Sequence, residues 1–189
     1  MPRPPVLPTI DWPAVFSSGQ TFADWLTGAE SPDNAAKMLE ESRSLELVEE
    51  AVEYLGELTR DVRVVAIAED WCGDVLRHVP VLERIASLCN RLHVRYVTRE
   101  QHPDVFARFL TNGGEAIPKF IFLNDQWVEF DNWGPMPCPY RRSIARGKAC
   151  GDVPAARREV AQRYQDDPGR VFTFNELLDI IAIGSSETY

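Results

Sequence analysis

The sequence predicts an α/β domain: a mixed four-stranded sheet with helices on both faces, extended by helical segments at the N- and C-terminal ends. Three observations carry that prediction. Residues 63–68 are apolar without alternation, as expected of a strand covered on both faces. They lead through Trp71-Cys72-Gly73-Asp74-Val75 into a stretch where Val75, Leu76, Val79, Leu82, Ile85, Ala86 and Cys89 recur at helical spacing. A right-handed crossover through this helix brings the next strand, residues 92–98, alongside as a parallel partner. Finally, residues 120–123, the turn Asn124-Asp125 and residues 127–130 read as an antiparallel hairpin.

Before the first strand, residues 1–30 hold five of the 14 prolines together with Trp12, Phe16, Phe22, Trp25 and Leu26. That is too much apolar area for a disordered tail, so the leader is expected to pack on the core. Ser31-Pro32-Asp33 is an N-cap, a proline at the first helical position and an acid in the first turn, predicting a helix over residues 32–41. Leu45, Val48, Ala51, Val52, Leu55 and Leu58 predict a second, amphipathic helix over residues 44–60 that covers a sheet face. After the second strand, Pro103 opens a helix carrying Val105, Phe106, Phe109 and Leu110, stopped by Gly113-Gly114. Past Gly134 a proline-rich loop, containing Cys138, leads to a helix with a basic run at Arg141, Arg142 and Arg146. Residues 154–165 read as a polar helix, residues 166–169 as a turn, and Thr173-Phe174-Asn175-Glu176 as a capping box opening a last apolar helix.

With 189 residues, 44% hydrophobic and 26% charged, the chain fits one domain: an N-terminal extension (1–43), a core (44–134) and a C-terminal helical segment (135–189). A formal charge of −9 argues against a nucleic-acid or anionic-membrane partner. The N-terminus has no apolar signal region and no stretch approaches membrane length, so a cytoplasmic protein is expected. In that compartment Cys72, Cys89, Cys138 and Cys150 are expected as free or catalytic thiols. No pair has zinc-ligand spacing, and no metal or organic cofactor is implied.

Cys72 stands where a strand hands over to a helix, beside unpaired N–H groups and the positive end of the helix dipole, which favour thiolate. Pro80, eight residues on, falls inside the helical stripe and predicts a kink. Ile117-Pro118 opens the apolar run 120–123, and Asn112-Gly113-Gly114 precedes it. Together these residues resemble the thioredoxin superfamily, and within it a bacterial thioredoxin-like group that pairs Trp-Cys-Gly-Asp-Cys with Asn-Gly-Gly-x-x-Ile-Pro-Lys. The resemblance covers residues 44–134 and implies a thioredoxin-like fold. It also implies that Pro118 is cis and faces Cys72 across a groove; by residue preference alone Pro118 could be an ordinary strand-start proline.

The chain departs from that pattern in two places. Where the family carries its resolving cysteine stands Val75, and where it carries a buried acid stands Ala66. A dithiol reductase needs both sulfurs: one attacks the substrate disulfide, the other releases the product. Glu69, Asp70 and Asp74 also crowd negative charge around Cys72, and a helix-end effect of ~0.3–1 kcal/mol is small enough for them to cancel. Two functions from different classes follow. One is a monothiol thiol–disulfide oxidoreductase, with Cys72 as nucleophile and an external thiol as resolver. Its partner would be a disulfide-containing or glutathionylated protein or a small thiol, bound by Trp71, Gly73, Asp74, Val75, Ile117 and Pro118. The other is a catalytically inactive peptide- or protein-binding module in which Cys72 is inert. Cys138 could resolve a mixed disulfide or stand in its loop by chance. Cys89 reads as core, Cys150 as a surface thiol, and His78, His93 and His102 as solvated or capping residues. The loop Gly73-Asp74-Val75 does not resemble the motif of a glutathione-assisted iron–sulfur site.

Overall fold

The computed structural model describes residues 9–186. The leader residues 1–8, part of the predicted core-packing extension, lie outside that range.

The four strands are β1 (Val62–Ile67), β2 (Leu92–Val97), β3 (Lys119–Leu123) and β4 (Glu129–Trp133), in the order β2-β1-β3-β4. β1 pairs parallel with β2, Val64 opposite Val94, and antiparallel with β3, Val64 opposite Phe122. β1 is central and its residues 64–66 are wholly buried, which accounts for the unbroken apolar run.

The leader folds into α1 (Trp12–Ser18) and α2 (Phe22–Thr27), each with a side-chain N-cap, Asp11 on Ala14 and Thr21 on Asp24. Between them Gln20 exchanges two 2.9 Å backbone hydrogen bonds with Tyr96 and so covers the exposed edge of β2. Trp12, Val15 and Trp25 are buried, with Trp25 stacked on Tyr96 at 4.7 Å. Phe16 lies under Arg95 and against Trp127, on the sheet face opposite the one where Tyr96 meets the long helix α5 (Gly73–Leu88).

α3 (Pro32–Ser44) begins where Ser31-Pro32-Asp33 predicts. The helix predicted over 44–60 is shorter: Leu45 is extended (φ −65°, ψ 134°), and α4 (Glu49–Glu57) buries only Leu55 while Val48 stays 68% exposed. The stretch after Pro103 gives one turn, α6 (Pro103–Phe106), continued by a 3-10 turn. The hairpin also differs. Asn124 Oδ1 accepts N–H bonds from both Gln126 and Val128, building a wider turn, so Trp127 sits in it at φ 65° with its ring 4.4 Å from the Arg63 guanidinium.

The C-terminal segment forms α7 (Cys138–Cys150), α8 (Val153–Asp166) and α9 (Val171–Ser185). Cys138 is thus the first residue of α7 and not part of a loop. The predicted capping box is replaced. The Asp167 carboxylate accepts from the N–H groups of Val171 and Phe172, and Thr173 and Glu176 turn to buried partners elsewhere. Leu177, Ile180 and Ile181 of α9 pack into the core.

α5 carries an acid that titrates near neutrality. Burial pushes the Glu83 carboxyl up to about 7 from 4.5, against the bond it accepts from Tyr96. Because the folded state holds this proton more tightly, stability falls as pH rises from about 4.5 to 7 and stays lost above. Burial and the charges of Arg77 and Arg170 hold the His78 imidazole well below its ordinary 6.5, so its contribution runs oppositely, falling as pH drops below 6.5. Glu83→Gln keeps an acceptor for Tyr96 and removes the ionisation. It is expected to stabilise the protein by about 2–3 kcal/mol at pH 8 and hardly at all at pH 4.5, read from urea midpoints at both pH values.

Candidate functional site

Cys72 is the N-cap of α5, half-buried, in extended backbone (φ −85°, ψ 125°) just after β1. Its thiol donates to the Ile117 carbonyl at 3.5 Å, and the Ile117–Pro118 peptide is cis. Two segments 45 residues apart in sequence are thereby brought together by the pairing of β1 with β3.

A cavity of about 570 Å³ opens at the sulfur, lined by Lys37 and Glu41 of α3, Cys72, Gly73 and Asp74, Leu76 and Arg77, with Tyr164 and Arg170 from the C-terminal segment. Gly73 and Asp74 therefore share the groove with Cys72. Val75 is fully buried beneath it, and Ile117 and Pro118 are buried, the Ile117 carbonyl accepting from the thiol. Trp71 departs from its predicted place: half exposed, it lines a separate hollow with Glu69 and Arg99, the Arg99 guanidinium 5.4 Å from its ring.

Burial is the largest influence on the Cys72 thiol and raises its pKa; the N–H groups of Val75 and Asp74 oppose this, and the charges of Asp74 and Glu69 add to it. The three carboxylates are held in different ways. Glu69 is clasped by Arg99 through bonds of 2.9 and 3.0 Å. Asp70 is buried and accepts from the Ser31 N–H at 2.7 Å, anchoring the start of α3 beside the site. Asp74 accepts from the Tyr164 hydroxyl at 3.1 Å, and its carboxyl is raised by burial despite that bond and the charge of Arg77.

Behind Asp74 runs a network that no sequence motif announces. The Tyr164 hydroxyl, which donates to Asp74, accepts from His78 Nε2 at 3.1 Å, and His78 Nδ1 accepts from the Thr173 hydroxyl at 3.0 Å. His78 is thus a buried, neutral link and not a solvated residue. Glu41 and the Arg170 guanidinium pair across the groove, Arg170 also donating to the Arg77 carbonyl at 2.8 Å. Cys138 lines a neighbouring cavity, its N–H bonded to Glu176 at 2.7 Å, and it does not line the Cys72 groove. Among the described residues all four cysteines are free, no cluster of three or more His, Cys, Asp or Glu is placed to hold a metal ion, and no helix is long and apolar enough to cross a membrane.

A mixed β2-β1-β3-β4 sheet, with a thiol at the N-terminus of the helix after β1 and a cis X-Pro carbonyl facing it, defines a thioredoxin-like fold. The chain belongs to the thioredoxin family, whose model matches residues 19–148; α8 and α9 lie beyond the match. Two solved structures share the architecture over 92% of this chain and 98% of their own. One is a Pseudomonas aeruginosa protein of unknown function (17% identity, TM-score 0.69) and the other an HIV epitope-scaffold (14% identity, TM-score 0.66). None of the curated proteins matches the sequence.

Proposed function

We propose that this thioredoxin-like domain, with its two extensions, is a monothiol thiol–disulfide exchange protein. The Cys72 thiolate attacks a disulfide RS–SR′, forming Cys72–S–SR and expelling R′S⁻. A second, external thiolate such as that of glutathione then attacks the mixed disulfide, takes the R–S group as its own disulfide and returns Cys72 as thiolate. The observation that carries this reading is the Cys72 sulfur itself: half-buried, bounded by the Ile117 carbonyl, and open to a groove large enough for a small disulfide. Residues flanking Pro118 would receive a substrate segment as an added strand. The partner is a disulfide-containing or glutathionylated protein or a small thiol in the cytoplasm, a setting in which the four free cysteines are at home.

A second reading, a peptide-binding module with Cys72 inert, is favoured by the raised thiol pKa and by the bond the thiol already makes. The two separate under glutathione disulfide. A monothiol exchanger gains a glutathionyl adduct on Cys72 that reduced glutathione removes and that Cys72→Ser lacks, followed by mass spectrometry. Because only thiolate reacts and the pKa is raised, the rate is expected to keep climbing above pH 9. No adduct at a pH where a free model thiol is fully converted would leave the binding module as the reading.

Without a second sulfur, wild-type protein with dithiothreitol is expected to reduce insulin no faster than background. Robust reduction abolished by Cys138→Ser would instead establish a remote resolving thiol.

A further inference from the structure

A larger cavity, of about 690 Å³, shares Asp74 with the Cys72 groove and lies between the turn at residues 111–116 and helices α7 and α8. Its volume is in the range of small-molecule sites. Helical spacing supplies the lining: Arg141, Ile144, Ala145 and Lys148 fall on one face of α7, and Val153, Arg157 and Val160 on one face of α8. The result is an apolar surface ringed by cations.

The charges there are unbalanced. Arg141, Arg142, Lys148 and Arg157 line the cavity, and none takes part in an ion pair among the described residues. The two acids on the wall are engaged elsewhere, Asp74 by Tyr164 and Glu115 by Arg99 at 3.6 Å. A further cation stands directly behind. Lys119, only 3% exposed, donates from Nζ to Thr111 Oγ1 and to the Gly134 carbonyl, each at 3.1 Å, and Arg141 donates to that same carbonyl at 3.1 Å. Two cations thus converge on one neutral oxygen at the edge of a cavity, in a protein whose formal charge is −9. Burial, with the Arg141 charge second, lowers the Lys119 pKa to about 8, as expected of an ammonium lacking an anion.

We propose that this cavity binds a small organic anion, a carboxylate or phosphate monoester carrying an apolar group. Its charged head would sit at Arg141 with Lys119 behind, and its body against Ile144, Ala145, Val153 and Val160. Guanidinium groups suit this task because their forked N–H donors match carboxylate and phosphate oxygens. The inference does not depend on thiol chemistry at Cys72, since none of these residues touches the sulfur.

The test uses the full chain and the fluorescent anion anilinonaphthalene sulfonate, with neutral N-phenylnaphthylamine as control. The anion is expected to bind saturably and more tightly than the neutral analogue. Arg141→Gln and the exposed-site variant Arg157→Gln should each weaken it by about threefold or more, the latter at an unchanged thermal midpoint. Phenyl phosphate and phenylpropionate should displace it, the stronger competitor identifying a phosphate or a carboxylate head. Equal binding of the neutral analogue, a loss of less than about threefold in either variant, or failure of both competitors overturns the proposal.

Discussion

Val75→Cys is expected to form an intramolecular disulfide with Cys72 and to acquire insulin-reductase activity on the order of tenfold above the wild-type background, since the second exchange then has its nucleophile. Cys72 is the N-cap of α5 and Val75 lies three residues on, in the first turn, so the two side chains share a face. Val75 is fully buried under the groove, and exchanging it for the smaller thiol should cost about 1 kcal/mol in the reduced form. Activity should stay modest. Ala66 places no acid beneath the sulfurs; of the acids on α5, Glu83 is bonded to Tyr96 and Asp74 to Tyr164. Mass spectrometry should find the oxidised variant lighter by two hydrogens, and Cys72 and the introduced thiol both staying alkylatable under mild oxidant would show that the first turn of α5 does not bring the positions together.

Gly134→Ala should be the most damaging small substitution near the site. Gly134 has φ 121°, where side chains are strained, and a Cβ there would lie 2.0 Å from the Pro118 carbonyl oxygen and 3.3 Å from Lys119 Cα. Both neighbours are backbone and cannot swing aside. Strain and overpacking together give an expected loss of about 3–5 kcal/mol, read as a shift in the urea midpoint. The wall that presents Ile117 to Cys72 and the carbonyl shared by Lys119 and Arg141 would shift with it. Gly73→Ala is the control: no atom lies within 4 Å of its would-be Cβ, so stability should change by no more than about 0.5 kcal/mol.

The strand-to-helix junction at Cys72, the Ser31 cap and the cis Ile117–Pro118 bond follow rules that act within a few residues or ride on a motif, and they were legible in the chain alone. So was the missing sulfur at Val75. Where local signals competed with distant partners, the partners decided. Thr173 and Glu176 have the spacing of a capping box, yet burial gives Thr173 to His78 and Glu176 to Trp133 and Cys138, and Asp167 caps α9 instead. Trp127 has strand preference, but the Asn124 side chain draws it into a turn over Arg63. His78 bears no local mark of burial, because its partner Tyr164 is 86 residues away. Sequence by itself determined the four strands, most of the helices and which thiol lacks its pair. Only tertiary structure decided which side chains meet across the 90 residues separating Asp74 from Tyr164, since a buried polar group must find a hydrogen-bond partner wherever the packing puts one.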